Sequence, residues 1–239
     1  MTNIATRSNF WTETLKDKGD KTMGMNQEEA LSILKGVGAI ITNSHIVYTS
    51  GLHGTAYINK DAIYPYTKDT SRLCRALAEQ FSTVEHTVEA VIGPAIGGVI
   101  LSQRVAEHLS HLQGNQVLSV YAEKDGDSFV IKRGYDKLIT GKNVLVVEDV
   151  LTTGASARKV VEVTRTVGGN VVGVGALCNR GWATREDIGN VPKFYALVYM
   201  KLEAVEESKC YFCKVGIPVN TDVGKGREFL ARKADKERS

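Results

Sequence analysis

The sequence predicts an α/β fold, a parallel sheet flanked by helices, with a small hood subdomain over the strand ends. Short apolar runs alternate with amphipathic segments between residues 88 and 198, as expected for strands joined by crossover helices. The runs are rich in valine, which is typical of strands buried on both faces. A length of 239 residues accommodates one such domain with a small appended piece.

The chain divides into four predicted segments. Residues 1–25 are a polar N-terminal extension, and residues 26–66 supply an N-terminal helix and the strands of the hood. Residues 67–200 form the α/β core. Residues 201–239 return as a C-terminal hood segment and end in a charged tail.

Local signals predict the elements before the core. Asn26 is a good helix N-cap, so we expect a helix over 27–35 that ends at the glycines following it. Two short strands, 46–49 and 56–59, surround a Ser-Gly turn. Large apolar side chains at helical spacing predict a helix over 67–81.

The core elements follow in alternation. A glycine-rich, charged stretch around an apolar centre, residues 124–135, predicts a hairpin-like segment that we call the flap. Two helices are predicted at 99–109 and 157–167, and the second is stopped by a Gly-Gly pair. The predicted strands of the sheet are 88–92, 117–122, 144–147, 171–177 and 194–198.

Composition argues against several classes of protein. The net charge is only +3 and no basic stripe stands out, so we expect no nucleic-acid partner. No apolar run reaches membrane-spanning length, which predicts no membrane association. The N-terminus is charged and has no apolar centre, unlike a secretory signal. We therefore expect a cytoplasmic protein.

Four cysteines are too few and too scattered to predict a disulfide framework. Cys210 and Cys213 form a lone Cys-x-x-Cys pair. Zinc would need two further ligands, and no second cysteine or histidine pair has suitable spacing, since all five histidines precede residue 112. We therefore predict two ordinary thiols in a C-terminal turn, with metal or redox use as the alternative.

The segment 143–156 is the most informative of the chain. A buried strand is followed by Glu148 and Asp149, at the strand end where open α/β sheets place ligands. A loop of hydroxyls and glycine, 152–156, then opens a helix, and its N–H groups suit an anion. Carboxylates suit the hydroxyls of a ribose. The segment predicts a site for a sugar that carries a phosphate.

Competing interpretations of these motifs fit less well. A Walker loop requires Gly-Lys-Ser/Thr, and no lysine lies in 151–156. The dinucleotide fingerprint requires three spaced glycines, and Cys178 stands where the third should follow Gly173 and Gly175. A solvated surface turn does not explain two acids placed directly after a buried strand.

The segment 143–156 resembles the phosphoribosyl-pyrophosphate motif of the type I phosphoribosyltransferase family, in which two acids hold the ribose hydroxyls and the loop grips the 5-phosphate. Three further segments resemble the orotate-specific branch of that family: 48–60 its orotate-binding segment, 93–98 its pyrophosphate loop, and 178–180 the site of its orotate-pairing arginine. The resemblance runs in order from about residue 27 to 226.

The resemblance implies a phosphoribosyl transfer to orotate, Mg²⁺ bound mainly through the substrate diphosphate without dedicated protein ligands, and a homodimer. It implies catalytic roles for Glu148, Asp149 and Lys124, and contacts to orotate from Thr152, Arg180, Tyr57 and Ile58. The residues implied to bind phosphoribosyl pyrophosphate are Glu148, Asp149, Val150, Leu151, Thr152, Thr153, Gly154, Ala155, Ser156, Gly97, Gly98, Lys124 and Arg133.

The chain departs from the family at several basic positions. Thr49 and Gly97 stand where many orotate enzymes carry lysine, and Asp127 and Phe129 fall near the further basic positions of the flap. Lys132 and Arg133 are the substitutes that we expect. Two alternatives stay open at this point: a purine phosphoribosyltransferase, and a non-catalytic regulator that senses phosphoribosyl pyrophosphate.

Overall fold

A computed structural model describes residues 24–83 and 87–237. Most of the predicted N-terminal extension, residues 1–23, lies outside the described residues. The helices are α1 Gln27–Gly36, α2 Thr67–Phe81, α3 Gly97–Gln113, α4 Tyr135–Ile139, α5 Ala155–Thr166, α6 Tyr211–Lys214 and α7 Gly226–Glu237. The strands are β1 Ile40–Val47, β2 His53–Ile58, β3 Ala90–Pro94, β4 Leu118–Asp125, β5 Ser128–Val130, β6 Asn143–Leu151, β7 Asn170–Asn179 and β8 Phe194–Tyr199.

A six-stranded sheet in the order β5-β4-β3-β6-β7-β8 forms the centre of the molecule. The pairs from β4 to β8 are parallel, and only the edge strand β5 is antiparallel to its neighbour. The predicted α/β fold with a parallel sheet and flanking helices is confirmed. The β4–β5 pair is the hairpin predicted in the flap, with Lys124 opposite Phe129.

Two apolar cores cover the two faces of the sheet. Side chains alternate along β6, so that Leu145 and Val147 join one core while Val144 and Val146 join the other, all four fully buried. Helices α1, α2 and α3 contribute to the first core, and α5 contributes to the second. This double burial explains the unbroken apolar run of the sequence.

The glycines of β7 serve this packing. A Cβ atom at Gly173 would lie 2.7 Å from the ring of Phe81, and one at Gly175 would lie 3.1 Å from Leu77. Side chains of α2 therefore occupy the space above both glycines. Close packing against α2 therefore explains why glycines occupy these two positions of the incomplete dinucleotide fingerprint.

The hairpin β1–β2 forms a separate two-stranded sheet. β1 begins earlier than predicted and contains an irregularity between Thr42 and Ile46, where Asn43 has a positive φ of 56°. The C-terminal segment pairs with this hairpin: the N–H of Asn220 donates to the carbonyl of His45 at 2.8 Å. These contacts support the predicted hood, whose boundaries at 66 and 201 stay a prediction.

No helix in the ranges 24–83 and 87–237 combines the length and the apolar character that a membrane crossing requires.

Candidate active site

The site lies at the carboxyl end of β6, in the middle of the sheet. Glu148 and Asp149 are the last acidic residues of that strand and are only 6% and 2% exposed. Glu148 lines a cavity of about 300 Å³, together with the loops that precede α3 and α5. Both acids therefore lie at the strand end where the sequence predicted them, with Glu148 lining this cavity and Asp149 directly beside it in the chain.

Asp149 is held by partners from the chain segment that follows the hairpin. Its Oδ2 lies 3.3 Å from Nζ of Lys60 and accepts a hydrogen bond from the Tyr64 hydroxyl at 3.2 Å. Its Oδ1 accepts from the N–H of Val150 at 2.7 Å. Burial is the largest single effect and lowers the pKa of Lys60, but the negative charges of Asp149, Glu148 and Asp61 together outweigh it, so the pKa of Lys60 is raised. The buried acid thus has a cationic partner in direct contact.

Glu148 has no such cation in direct contact among the ion pairs of the described residues. Its Oε1 accepts from the N–H of Asp149 at 3.2 Å. Burial, and then the negative charge of Asp149, raise the pKa of Glu148 well above its ordinary value of 4.5. The site therefore keeps an acid whose charge is costly in the absence of a ligand that compensates it.

The loop 152–156 is open to solvent at the N-terminus of α5. Thr152, Thr153, Ala155 and Ser156 are exposed, while Gly154 is buried. Gly154 has a φ of 79°, and a Cβ atom there would lie 2.7 Å from Ile188. Glycine at this position therefore lets the loop pack against Ile188, while the exposed hydroxyls of Thr152, Thr153 and Ser156 lie at a helix end that favours negative charge.

The loop before α3 approaches the two acids from the other side. A Cβ atom at Gly97 would lie 2.2 Å from Oδ2 of Asp149, so this position has no room for a side chain while Asp149 keeps its place. A Cβ atom at Gly98 would instead meet Pro94 at 2.7 Å and the backbone of Gly93 at 2.8 Å. The position of Asp149 therefore explains why glycine occupies position 97, where many orotate enzymes carry lysine.

Three lysines from different elements surround the same cavity: Lys60, Lys124 and Lys159. The sequence predicted only Lys124. Lys60 is the last residue of the segment 48–60. It is so distant along the chain from Glu148 and Asp149 that no sequence pattern indicates that it lies near them. Lys159 lies one turn after Ser156 on α5, which is a spacing that helical periodicity does reveal. Together these lysines supply the positive charge that Gly97 does not.

A second cavity of about 600 Å³ lies between the core and the hood. All four residues predicted to contact the base line it: Tyr57 and Ile58 from β2, and Thr152 and Arg180 from the core. Nε of Arg180 donates to the Thr152 hydroxyl at 3.0 Å. The 152–156 loop therefore serves both cavities, Thr152 one and Ser156 the other.

Other predicted residues occupy less direct positions. Arg133 is 62% exposed, and its Nε donates to Glu123 at 2.7 Å, within the flap and outside the linings of the two cavities. Leu151 is 2% exposed in the apolar core, so only its backbone is available to a ligand. Val150 lines a small space beside Asp149. Their roles stay predictions.

Comparison with known proteins places this arrangement in a family. The phosphoribosyl transferase domain family matches residues 66–201. The orotate phosphoribosyltransferase of Caldanaerobacter subterraneus subsp. tengcongensis is 35% identical over 195 residues, which cover 82% of this chain and 96% of the relative.

Solved structures share the fold. The orotate phosphoribosyltransferase of Mycobacterium tuberculosis, in complex with 5-phospho-α-D-ribosyl 1-diphosphate, matches with a TM-score of 0.55 and 20% identity over 73% of this chain and 96% of that chain. The adenine phosphoribosyltransferase of Saccharomyces cerevisiae matches with a TM-score of 0.52 and 20% identity, over 70% of this chain and 99% of that chain. At these identities the likeness shows the fold and leaves the base open.

The raised pKa of Glu148 predicts a pH-dependent gain of stability in Glu148→Gln. The folded protein retains a proton that the unfolded chain releases near 4.5, so its free energy of unfolding falls as pH rises from that value through the raised pKa. The glutamine side chain of the variant does not ionise, so the variant does not lose stability in this way as pH rises. We expect Glu148→Gln to be more stable than the parent by on the order of 2 kcal/mol at pH about 9, and by less at pH about 5.

Urea denaturation at the two pH values measures this difference. Glu89→Gln is the matched control, because the Asn143 N–H and Lys142 lower the pKa of Glu89. The stability that Glu89 contributes is present above its unfolded pKa and lost as pH falls, so its amide variant should be less stable at high pH. An equal loss of stability in Glu148→Gln at both pH values would contradict the raised pKa of Glu148.

Proposed function

The chain belongs to the orotate phosphoribosyltransferase family, and on that premise we propose that it transfers the phosphoribosyl group of phosphoribosyl pyrophosphate to orotate. The products are orotidine 5′-phosphate and pyrophosphate, a step of pyrimidine nucleotide synthesis. A ring nitrogen of orotate, which has already lost its proton to the solvent and reacts as an anion, forms a bond to C1 of the ribose. The C1–O bond to pyrophosphate breaks, and pyrophosphate leaves with the electron pair.

The observation that carries this proposal is the pair of cavities that share the 152–156 loop. One contains acids, lysines and a helix N-terminus, as a phosphorylated sugar requires, and the other contains Arg180 and an apolar wall, as a planar anionic base requires. When phosphoribosyl pyrophosphate occupies one cavity and orotate the other, the reacting carbon lies where the two cavities meet. Holding the two reactants in this way removes most of the entropic barrier to their reaction.

The acids at the end of β6 act on the ribose. Glu148 and Asp149 accept hydrogen bonds from its hydroxyls, which holds the ring still, and the loop 152–156 binds the 5-phosphate through N–H groups and hydroxyls. As pyrophosphate leaves, positive charge develops on the ribose ring. The two carboxylates stabilise that charge in a poorly solvated place, where electrostatic interactions are strong.

Pyrophosphate is bound on the Gly97 side. The backbone N–H groups at Gly97 and Gly98 begin α3, and Lys60, Lys124 and Lys159 face the same space. Within the described ranges, no group of three or more His, Cys, Asp or Glu ligands converges on this cavity. This fits Mg²⁺ held mainly by the diphosphate and water. When bound, the ion neutralises charge that develops on the leaving group.

Orotate is recognised from both subdomains. The guanidinium of Arg180 suits its carboxylate, and the hydrogen bond from Arg180 to Thr152 fixes the direction of the side chain. Tyr57 and Ile58 offer an apolar wall and backbone polar groups. A purine has no carboxylate, so it leaves Arg180 without an anionic partner, which favours orotate over the purine alternative.

We also propose a homodimer and a cytoplasmic location, as the family resemblance implies. Two large apolar side chains near the start of α3 support the dimer: Ile96 is 86% exposed and Ile100 is 39% exposed. Exposed apolar side chains close together mark interaction surfaces. Fractionation of the source cells tests the location, which membrane-bound or secreted protein would overturn.

Arg180→Ala should lose orotate turnover selectively. Removing a charge-assisted hydrogen bond costs about 1.5–3 kcal/mol, so we expect kcat/KM for orotate to fall roughly ten- to a hundredfold. The loss of orotate's ultraviolet absorbance with phosphoribosyl pyrophosphate and Mg²⁺ measures it.

Arg75→Ala, at a surface pair with Glu79 on α2, is the matched control and should keep parental turnover. The parent should be inactive when Mg²⁺ is withheld and recover when it is restored. Turnover with adenine, guanine or hypoxanthine but none with orotate would refute the assignment of the base.

Gly97→Ala should impair binding of phosphoribosyl pyrophosphate more than it impairs folding. The added methyl displaces only the end of the Asp149 side chain, which then leaves its place against the ribose. In Gly98→Ala the methyl meets backbone and a proline ring instead, so folding should suffer.

Calorimetric titration with phosphoribosyl pyrophosphate and thermal unfolding separate the two effects. We expect roughly tenfold weaker binding or more in Gly97→Ala, since one charge-assisted hydrogen bond is misplaced. Unchanged binding in Gly97→Ala would show that Asp149 does not hold the ribose.

The dimer should depend on the apolar start of α3. Ile100→Asp places a charge in the proposed interface and should shift the full chain to monomer in sedimentation equilibrium. Leu138→Asp on α4, where the parent side chain is 46% exposed, should leave the assembly unchanged. A parent that sediments as a monomer at micromolar concentration would rule out the dimer.

A further inference from the structure

A second cluster of reactive side chains lies in the hood, away from the two cavities. His45 on β1, His53 on β2, and Cys210 and Cys213 beside and on α6 bring one nitrogen or sulfur atom each to within 4.8 Å of one another. The sequence showed no histidine pair at a suitable spacing from the cysteines, but in the folded chain two histidines lie beside them. The histidines precede the cysteines by more than a hundred residues, and the fold brings them together.

We propose that these four side chains bind one zinc ion. A tetrahedral zinc site with bonds of about 2.0–2.3 Å places its ligand atoms about 3.3–3.8 Å apart. The observed separations are 3.0 Å between His45 Nε2 and His53 Nδ1, 3.5 Å from His45 Nε2 to each sulfur, and 3.4 Å from His53 Nδ1 to Cys213 Sγ. Two nitrogens and two sulfurs at these distances form the ligand set that zinc prefers.

The surroundings of the histidines support binding of a cation. Nδ1 of His45 donates to the carbonyl of Ile217 at 2.7 Å, which directs the lone pair of Nε2 toward the other three ligands. Zinc-bound histidines are commonly oriented by such a bond from the second ring nitrogen. His45 and His53 are 2% and 0% exposed, and the two ring nitrogens that face each other lie 3.0 Å apart, so a cation between them and the sulfurs would contact both rings.

The aromatic rings of the hood enclose the cluster. Phe212 packs edge-on against His45 with ring centroids 5.6 Å apart, and Phe229 of α7 packs against His53 at 4.9 Å. Cys210 is 4% exposed. Three of the four ligands are buried and Cys213 is partly exposed. Four protein ligands would complete a tetrahedral shell, which is characteristic of structural rather than catalytic zinc sites.

The ion would connect the β1–β2 hairpin to the C-terminal segment of the hood. Backbone bonds already flank the cluster, from Asn220 to His45 at 2.8 Å and from His53 to Val205 at 2.7 Å. Between the two histidines lies the turn that carries Tyr48, Thr49 and Ser50 into the wall of the 600 Å³ cavity. When zinc binds, two Zn–S and two Zn–N bonds form, and the protons of the two thiols pass to the solvent.

Metal content of the full chain tests the site, and it does so independently of transferase activity. Protein purified without chelators, or reconstituted with Zn²⁺, should contain about one zinc per chain by plasma mass spectrometry. Replacement by Co²⁺ should give the visible bands of tetrahedral thiolate coordination. Chelation should lower the midpoint of thermal unfolding, and restored Zn²⁺ should reverse the change.

Matched variants assign the ligands. Cys213→Ala and His53→Ala should lose the zinc, whereas Cys74→Ala and His111→Ala, which alter the same residue types outside the cluster, should retain it. Measurements on the parent keep the test valid if a ligand variant fails to fold. Parent protein that stays free of metal in excess Zn²⁺ would overturn the proposal. So would a Cys210–Cys213 disulfide in freshly purified protein, or full zinc occupancy in Cys213→Ala.

Discussion

Two acids buried side by side at the end of β6 are the constraint on which the rest of the site depends. Like charges in a poorly solvated place repel, and each also loses the hydration that stabilised it. The structure offsets this cost unevenly. Asp149 has Lys60 and Tyr64 in contact, while Glu148 accepts a hydrogen bond from the N–H of its neighbour and has no cation in contact among the ion pairs of residues 24–83 and 87–237, and its pKa is raised. Gly97 belongs to the same arrangement, because only a residue without a side chain fits against Asp149.

This uneven compensation has a functional meaning. A site that neutralised both acids fully in the free protein would offer little to a sugar diol or to positive charge on the ribose ring. A preorganised but incompletely compensated carboxylate interacts most favourably when the substrate provides the missing partner. Lys60, Lys124 and Lys159 come from three separate elements and line the same cavity as Glu148, so positive and negative charge lie in one space.

In the function that we propose, the residues that select the base lie outside the strands at the centre of the sheet. An adenine phosphoribosyltransferase matches this fold with a TM-score of 0.52, so the fold alone does not select the base. The 600 Å³ cavity that we propose for the base is bounded by β2 and the C-terminal segment on one side, and by Thr152 and Arg180 on the other. Its shape therefore depends on how firmly the hood is held together, and the cluster of His45, His53, Cys210 and Cys213 lies at the point where the two ends of the hood meet.

What the sequence determined by itself was whatever depends on neighbours along the chain. The helix at 67–81, the Asn26 cap and the valine-rich strands follow from periodicity and local hydrogen bonds, and the predicted and observed elements agree to within a few residues, except β1 and the ends of β6 and α3. The motif at 143–156 was legible because its acids and its anion-binding loop are contiguous.

Only the tertiary structure decided the contacts between distant segments. Tyr64 and Asp149 are 85 residues apart, and Cys210 and His45 are 165 apart, so no local pattern connects them. Lys60 replaces a charge missing from another loop, and the two histidines complete a cysteine pair, because of the way one hairpin packs on the sheet and on the C-terminal segment. Such packing is set by the shapes of buried surfaces in three dimensions, which the order of residues along the chain does not display.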